Sequence, residues 1–404
     1  MKMKDGIAAD TAIPNNYANE LLVLEQGKGV YVEDSAGKTY LDFGSGISVN
    51  ALGYGREDLA EVVFRQMNKL VHISNLYTTR PALELAEKLT ALGDFSAVHF
   101  GNSGSEANES ALKYARLYAY RTRGQGHEKI LSFTGSFHGR TMGALSVTPT
   151  EKYQVPFRPL IPGTVTCRYN DTEQLKSILD DSFAAVIVEP IQGEGGLEAL
   201  EKDFAKALRA LCTEHDVLLI ADEVQSGLGR CGFVFASEFS GLNPDIITLA
   251  KPLAGGLPLS ATLLPPRVND AVHVGDHGTT FGGGPATCAA ANYVVDILTE
   301  DSFLSEIRRK GDHLRKKLAA LCESIPYTEG IKGMGLLAGL ALDRDVSEEK
   351  QIIPSIINSA RKEGLLILRS GTNVVRLAPP LIIRQEEIDQ GIGILENVLK
   401  SIKI

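Results

Sequence analysis

The sequence contains few cysteines, and they form no paired motif. There are five among 404 residues, and no two of them make a Cys-x-x-Cys pair. They are Cys167, Cys212, Cys231, Cys288 and Cys322. This odd, scattered set supports neither a zinc site nor a disulfide framework, and it is typical of proteins from a reducing compartment. We therefore expect no metal site.

Positive charge and long apolar runs are also scarce. The formal net charge is −9 and no basic block stands out, which argues against nucleic acid or an anionic membrane surface as a partner. No apolar run approaches the length of a transmembrane helix, and Met1–Gly6 lacks the apolar core of a signal peptide. We expect a cytoplasmic protein with no membrane partner.

The rest of the composition, with 44% hydrophobic and 23% charged residues, is that of an ordinary globular protein. The length allows two or three domains. We predict an N-terminal segment, residues 1–54, that packs with a small C-terminal domain, residues 301–404. Between them we predict a large α/β domain, residues 55–300.

The order of apolar segments predicts the layers of both domains. In the large domain, predicted strands at 129–133, 184–188, 217–221 and 246–250 follow a predicted helix at 105–121. Runs buried on both faces and separated by helices predict a mainly parallel sheet with flanking helices. The small domain alternates differently, which predicts an α+β unit. Its predicted elements are a helix at 303–323, a strand at 335–342, a helix at 351–363, strands at 365–368 and 374–377, and a final amphipathic helix.

Two charged residues stand at the ends of apolar strands in the large domain. Lys251 directly follows the run 246–250, and Asp222 follows the run 217–221. A poorly solvated lysine favours its neutral, nucleophilic amine. A lysine for a Schiff base and an acid for a pyridinium nitrogen are the groups that a pyridoxal phosphate (PLP) site needs from its protein. Both residues are equally compatible with ordinary charged strand ends.

Small residues open the helix that follows residue 104. Ser103, Gly104 and Ser105 lie within Gly101–Asn108, directly after an apolar run. Free backbone N–H groups at a helix N-terminus bind anions, which predicts a phosphate site. Ser103 with an acid three residues later also fits a simple helix-capping motif, and that alternative remains open here.

Two further stretches carry groups suited to a planar cofactor or an acidic substrate. Phe137 can stack on an aromatic ring and Arg140 can pair with a carboxylate, although a core phenylalanine and a solvated arginine fit equally well. Thr279 and Thr280, within residues 278–284, have hydroxyls that can reach an anion or can belong to a tight turn.

Charged residues in unusual surroundings complete the candidate set. Residues 188–196 place Glu189, Gln192 and Glu194 in a glycine-rich turn after a strand, where they serve a site or are simply solvated. Arg376 lies inside an apolar strand, and a charge there needs a partner.

In combination these motifs resemble the class III (ornithine-type) aminotransferases, which are PLP-dependent enzymes of fold type I. The resemblance covers essentially the whole chain. The motifs that carry it are Asn-Ser-Gly-Ser-Glu-Ala-Asn (102–108), Phe-His-Gly-Arg (137–140), Glu-Pro-Ile-Gln-Gly-Glu-Gly-Gly (189–196), Asp-Glu-Val-Gln-Ser-Gly (222–227) and Ala-Lys-Pro-Leu (250–253). It implies a seven-stranded, mainly parallel sheet with a smaller α+β domain, PLP as the cofactor, and a homodimer with shared active sites.

The resemblance also implies roles for individual residues. Lys251 would hold PLP and move a proton between substrate carbon and cofactor, and Asp222 would pair with the ring nitrogen. The other expected cofactor contacts are Ser103, Gly104, Ser105, Phe137, His138 and Gln225, with Thr280 reaching over from the second subunit. The expected substrate contacts are Arg140 and Thr279 for an acylated amino acid, Arg376 for the α-carboxylate of glutamate, and Glu194, which neutralises Arg376.

One position indicates the substrate. Family members that act on free ornithine carry a tyrosine where this chain has Gly46, and a glycine there leaves room for an acyl group. We expect ping-pong transamination of N2-acetyl-L-ornithine with 2-oxoglutarate, giving N-acetyl-L-glutamate 5-semialdehyde and glutamate for arginine biosynthesis. The alternatives are another class III aminotransferase, acting on succinylornithine, ornithine or 4-aminobutyrate, or a non-catalytic PLP-fold binding protein.

Three places depart from the family pattern. Ser105 stands where alanine or threonine is usual and keeps the backbone donor. Gly284 stands where asparagine is usual, so a local contact is lost. The turn at residues 54–58 is unlike that of the family, and the sequence offers no reason for the change.

Overall fold

We analysed a computed structural model, which describes residue 16 and residues 22–402. Much of the predicted N-terminal segment therefore lies outside the described residues. The described strands are β1 Leu24–Lys28, β2 Tyr31–Asp34, β3 Thr39–Asp42, β4 Ala97–Gly101, β5 Lys129–Phe133, β6 Thr164–Cys167, β7 Phe183–Val188, β8 Leu218–Asp222, β9 Ile246–Leu249, β10 Ser260–Leu264, β11 Thr328–Met334, β12 Leu337–Leu342, β13 Leu365–Leu366, β14 Leu368–Ser370 and β15 Val374–Leu377.

None of the helices among the described residues is long and apolar enough to cross a membrane. They are α1 Ser45–Ser48, α2 Glu57–Lys69, α3 Arg80–Thr90, α4 Gly104–Arg123, α5 Met142–Ser146, α6 Glu151–Gln154, α7 Thr172–Ile178, α8 Lys202–Glu214, α9 Ser237–Ser240, α10 Pro266–Asn269, α11 Pro285–Leu298, α12 Asp301–Ser324, α13 Arg344–Lys350, α14 Ile352–Lys362 and α15 Gln385–Ser401.

A seven-stranded sheet forms the centre of the large domain, as predicted. Its strand order is β4-β10-β9-β8-β7-β5-β6. All neighbours are parallel except β10, which runs antiparallel to both β4 and β9. Strands β7, β8 and β9 are buried along their whole length. Parallel strands end at one edge of the sheet, so the residues that follow β5, β7, β8 and β9 meet there.

The predicted elements of the large domain are confirmed to within two residues. The predicted strands at 129–133, 184–188, 217–221 and 246–250 correspond to β5, β7, β8 and β9, and the helix at 105–121 corresponds to α4. The apolar stripe predicted for α4 is buried. It comprises Ala107, Ala111, Tyr114, Ala115 and Tyr118.

The small domain differs from the prediction at two places. The strand expected at 335–342 corresponds to β12, but the prediction missed β11, which forms an antiparallel hairpin with β12 and turns at residues 335–336. Gly335 makes this turn with φ +58, and a Cβ there would lie 2.7 Å from the backbone of Cys231, so only glycine fits. The strand expected at 365–368 is two strands, because β13 pairs with β3 whereas β14 pairs with β15.

The N-terminal strands join the C-terminal part of the chain. β3 pairs in parallel with β13, and Phe43 fills the space beside Gly391 on α15, where a Cβ would lie 2.4 Å from its ring. The apolar face of the amphipathic helix α15 is buried, and Ile402 lies beyond the end of the helix. The buried residues of this face include Ile388, Ile392, Leu395 and Leu399. These contacts support the three-part division at residues 54 and 300, which remains a proposal.

A buried polar cluster ties this N-terminal segment to the rest of the protein. Arg230 is buried and donates to the carbonyls of Leu336, at 3.1 Å, and Pro379, at 2.5 Å. The carboxylate of Asp42 accepts the hydroxyl of Tyr54 at 2.6 Å and contributes favourable charge to Arg230. The bond to Asp42 gives Tyr54, in the unusual turn at 54–58, a structural role.

Replacing Arg230 with leucine should destabilise the fold. Two buried carbonyls would lose their donor and Asp42 would lose a nearby cation, so we expect the free energy of unfolding to fall by about 3 kcal/mol. Urea unfolding followed by circular dichroism measures the change. Arg315→Leu, on the exposed side of α12, is the control and should cost about 0.5 kcal/mol or less. Equal effects of the two variants would contradict this account.

Candidate active site

The carboxyl edge of the large sheet holds a cavity of about 180 Å³. Its walls come from the N-terminus of α4 and from the segments that follow β5, β7, β8 and β9. The lining residues are Ser103, Gly104, Ser105, Asn108, Phe137, His138, Gly139, Glu189, Asp222, Val224, Gln225 and Lys251. The structure therefore brings together every cofactor-binding residue predicted above except Thr280.

Lys251 lies two residues beyond the end of β9 and faces this cavity. Its side chain is partly accessible from the cavity, but protein surrounds it. Burial lowers the pKa of Lys251 below its ordinary value; Arg376 lowers it further, while Glu194 and Asp222 act in the opposite direction. The dominant effect of burial favours the neutral amine, which is the nucleophilic form.

Asp222, the last residue of β8, is held by donors from three directions. One carboxylate oxygen, Oδ2, accepts a hydrogen bond from the Nδ2 of Asn108 at 2.8 Å and lies 2.7 Å from the Nδ1 of His138. The other, Oδ1, accepts the backbone N–H of Val224 at 3.0 Å. Asn108 is itself held by Thr248, which donates to its Oδ1 at 2.8 Å. The carboxylate is thus fixed in position and faces the cavity.

The N-terminus of α4 forms a narrow cradle. Ser103 is the N-cap of α4, and its Oγ accepts a hydrogen bond from the backbone N–H of Glu106. The carboxylate of Glu106 accepts a hydrogen bond from the backbone N–H of Asn102. The helix-capping motif that the sequence offered as an alternative is therefore present. A Cβ on Gly104 would lie 2.6 Å from the side chain of Val224. The cradle therefore has room for an anion beside backbone N–H groups but no room for a side chain.

The hydroxyl of Ser105 links this cradle to the loop after β5. Ser105 Oγ accepts the backbone N–H of Arg140 at 3.2 Å. Gly139, the residue before Arg140, has a φ of +138, and a Cβ on Gly139 would lie 2.2 Å from Ser105 Oγ. The serine that departs from the family pattern thus makes a bond through its side chain, which the sequence alone did not indicate.

Glu189 follows β7 and braces two loops at once. Its two oxygens accept the backbone N–H of Phe137, at 3.0 Å, and of Gly193, at 3.1 Å. Burial raises the pKa of Glu189 to about 7, Asp222 adds to the rise, and His138 opposes it. Phe137, which the brace holds, is half-buried and lines the cavity.

Arg376 and Glu194 form an ion pair next to the cavity. Arg376 Nη1 lies 2.6 Å from Glu194 Oε1, and it also donates to the carbonyl of Gly193 and to Gln225 Oε1. The side chain of Arg376 is 4% exposed, whereas that of Glu194 is 36% exposed. The glutamate can therefore swing into solvent while the arginine stays in place.

Four residues expected to contact or select a substrate or the cofactor do not line this cavity. Thr280 lines a small, separate cavity with His72 and Asn75, and the Oγ1 of Thr279 accepts a hydrogen bond from the N–H of Gly282. Gly46 is exposed and lines neither of these two cavities. Arg140 follows Gly139, which lines the cavity, and its guanidinium lies over two aromatic rings.

Sequence reasoning missed Asn108, Thr248 and Val224 as members of the site. Asn108 lies four residues after Gly104, on the same face of α4. Thr248 is a polar residue inside a wholly buried strand, and such a residue requires a partner. These two signals were present in the sequence, but the partner, Asp222, became evident only in three dimensions.

The set of groups in the cavity fits PLP. Lys251 offers an amine, Asp222 an acid, Phe137 an aromatic face and the start of α4 an anion cradle, all within about 180 Å³. These are the groups that bind the aldehyde, the ring nitrogen, the ring face and the phosphate of this cofactor. His138 Nε2 is buried and has no partner among the described residues.

Comparisons with known proteins agree with this geometry. The family described as aminotransferase class-III matches residues 12–399. A relative from Dictyostelium discoideum, named as a probable mitochondrial acetylornithine aminotransferase, is 43% identical over 398 residues, which cover 96% of this chain and 86% of the relative.

Solved structures give the same fold. The ornithine aminotransferase from Toxoplasma gondii superposes with a TM-score of 0.91 at 30% identity, covering 96% of this chain and 93% of that one. The N-acetylornithine aminotransferase from Stenotrophomonas maltophilia superposes with a TM-score of 0.83 at 34% identity, covering 95% and 97%.

The buried carboxyl of Glu189 should make stability depend on pH. Its pKa is raised from 4.5 to about 7 by burial, so between these values the folded protein holds a proton that the unfolded chain releases. Stability must therefore fall as pH rises through this window. In the cofactor-free protein, Glu189→Gln should flatten that fall, as measured by unfolding at several pH values from about 5 to about 8.

Glu214→Gln, on the exposed end of α8, is the matched control and should leave the pH dependence of the wild type unchanged. Parallel pH profiles for the wild type and Glu189→Gln would show that Glu189 is ionised throughout, contrary to this account.

Proposed function

This chain belongs to the class III aminotransferase family, and we propose that it transfers the amino group of N2-acetyl-L-ornithine to 2-oxoglutarate. The products are N-acetyl-L-glutamate 5-semialdehyde and L-glutamate, a step of arginine biosynthesis. The observation that carries the proposal is the Arg376–Glu194 pair beside the Lys251 cavity, since a gated arginine lets one site serve two unlike substrates.

The cofactor of the proposed reaction is PLP. When bound, it supplies an electron sink and carries the amino group between the two half-reactions. Ser103, Gly104 and Ser105 would hold its phosphate, Phe137 and Val224 would contact its ring, and Gln225 would contact its ring hydroxyl. These assignments rest on the position of each group around one cavity.

Lys251 and Asp222 carry the chemical roles. The amine of Lys251, whose pKa burial lowers, would bind the cofactor and then move a proton at the substrate carbon as general base and acid. Asp222 would stabilise a positive charge on the ring nitrogen, and Asn108 and His138 hold its carboxylate in place.

The two substrates use different arginines. When the acylated diamine is bound, Glu194 pairs with Arg376 and cancels its charge, while Arg140, with Thr279, takes the substrate's own carboxylate. When glutamate or 2-oxoglutarate is bound, Glu194 swings away and Arg376 takes the α-carboxylate in a bidentate pair. The closed pair seen here corresponds to the first arrangement.

Relatives support an acylated substrate over free ornithine. The Dictyostelium relative with an acetylornithine name is 43% identical, against 30% for the ornithine aminotransferase from Toxoplasma. The Toxoplasma structure has a higher TM-score, 0.91, than the N-acetylornithine aminotransferase from Stenotrophomonas, 0.83. The TM-score reflects the backbone path, which the family shares, and does not discriminate between substrates. The expected cytoplasmic location remains a prediction, because the Dictyostelium relative is named as mitochondrial.

The proposed enzyme is a homodimer. Helix α2 has no buried residue in the single chain, and apolar side chains on it and on the following segment face solvent. Phe281, which contacts His72 of that segment, is exposed as well. The apolar side chains that are more than half exposed are Phe64, Met67, Val71, Leu76, Tyr77, Leu83 and Phe281. Such a surface is typical of an interface. It adjoins Thr280, which would then reach the phosphate of the partner's cofactor.

Substrate preference tests the proposed reaction. With PLP and 2-oxoglutarate present, kcat/KM should be highest for N2-acetyl-L-ornithine and at least about tenfold lower for free ornithine and 4-aminobutyrate. N2-succinyl-L-ornithine is the fourth member of the panel. Glutamate formation is the readout, and Lys251→Ala is the inactive control. A preference for free ornithine or for 4-aminobutyrate would refute the assignment.

Shared active sites predict that two inactive variants can rescue each other. Lys251→Ala and Thr280→Ala should each abolish or strongly reduce activity in isolation. Co-expressed, they form hybrid dimers in which one site has both intact residues, so activity should return to about a quarter of the wild-type value. If Thr280 served its own subunit, the mixture would show no more activity than the separate variants.

A further inference from the structure

A second, larger cavity of about 700 Å³ adjoins the cofactor cavity. It lies between large-domain residues 135–137 and small-domain residues 371–374. Phe137 lines both cavities and Glu194 lines the larger one. A substrate that extends from Lys251 past Phe137 therefore enters this space, and its wall includes Tyr153.

The guanidinium of Arg140 is held at this junction by aromatic rings. Its Cζ lies 3.6 Å from the ring centroid of Tyr153 and 5.4 Å from that of Phe137. Among the described residues, no hydrogen bond or ion pair of this guanidinium occurs; the one bond of Arg140 comes from its backbone N–H to Ser105. A stacked guanidinium keeps its N–H groups in the plane of the fork, free for a carboxylate.

Tyr153 is well placed to fix that orientation because its helix is anchored. Its backbone N–H donates to the carbonyl of Thr150 at 2.8 Å. The next residue, Gln154, donates through Nε2 to the carbonyls of Leu145 and Thr148, each at 3.0 Å. The short helix α6 is thereby tied to the end of α5, and the ring of Tyr153 is half-buried.

We propose that Tyr153 is the positioning residue for Arg140 and so determines how well the enzyme binds the carboxylate of the acylated substrate. The inference rests on the proposed function, in which Arg140 takes the carboxylate of that substrate. Without the ring, the long arginine side chain would sample many rotamers in an open cavity, and productive pairing would become rarer. Phe137, at 5.4 Å, is the more distant of the two rings, so Tyr153 makes the closer contact.

Tyr153 should act on Arg140 and leave Arg376 unaffected. Arg376 is held by Glu194, Gln225 and the carbonyl of Gly193. No described contact joins Tyr153 to these groups. Loss of the Tyr153 ring should therefore weaken the pairing of Arg140 with a substrate carboxylate, while the contacts of Arg376 stay unchanged.

Three variants of the PLP-loaded enzyme test this inference. In Tyr153→Leu the KM for N2-acetyl-L-ornithine should rise about tenfold, with a smaller change in kcat, because a cation–π contact at a partly exposed site contributes roughly this much. Tyr153→Phe keeps the ring and should behave like the wild type. Lys206→Gln, on the exposed face of α8, is the control and should behave like the wild type, since Lys206 lines neither cavity.

The two half-reactions are measured separately, from the visible absorbance of the cofactor after mixing with N2-acetyl-L-ornithine or with glutamate. A higher KM for N2-acetyl-L-ornithine in Tyr153→Leu, with kcat little changed and Tyr153→Phe like the wild type, supports the inference. A fall in kcat with KM unchanged, an unchanged Tyr153→Leu, or a Tyr153→Phe as impaired as Tyr153→Leu would each overturn it. If the wild type itself fails to react with N2-acetyl-L-ornithine, the proposed function fails instead, and the two failures are thus distinguishable.

Discussion

The carboxylate of Asp222, held by three donors at the carboxyl edge of the large sheet, is the interaction on which the site depends. Its partners come from α4 through Asn108, from the loop after β5 through His138, and from its own strand end through Val224. Thr248 on β9 holds Asn108 in turn. A buried charge is tolerated only with such partners, so the same bonds that keep the acid in place also lock the elements that shape the cavity.

Around this fixed centre, the charged groups differ in how freely they can move. Lys251 is surrounded by protein and Arg376 is almost fully buried, whereas Glu194 is open to solvent and Arg140 rests on aromatic rings. A substrate carboxylate can therefore displace Glu194, while Arg376 stays in place. This division explains how a single cavity can recognise an α-carboxylate in one half-reaction and an acylated amino acid in the other.

Much of the fold followed from local patterns, and the exceptions have specific causes. The buried parallel strands β5, β7, β8 and β9 were predictable because each is a continuous apolar run between helices. The β11–β12 hairpin was not, because its turn depends on a glycine pressed against Cys231. The division of the predicted strand 365–368 into β13 and β14 was not predictable either, since β13 pairs with β3 and β14 with β15, which are far apart in the sequence.

By itself, the sequence determined the fold class and the family and predicted Lys251, Asp222, Arg376 and the cradle residues as site residues, because these follow from motifs and apolar periodicity that are local in the chain. Only the tertiary structure decided which groups meet. It joined Asn108 and Thr248 to Asp222, made Glu189 a brace between two loops, and set Arg140 on Tyr153. The physical reason is that burial, hydrogen bonding and stacking depend on distances between residues that are remote in the sequence, and those distances exist only once the sheet has formed.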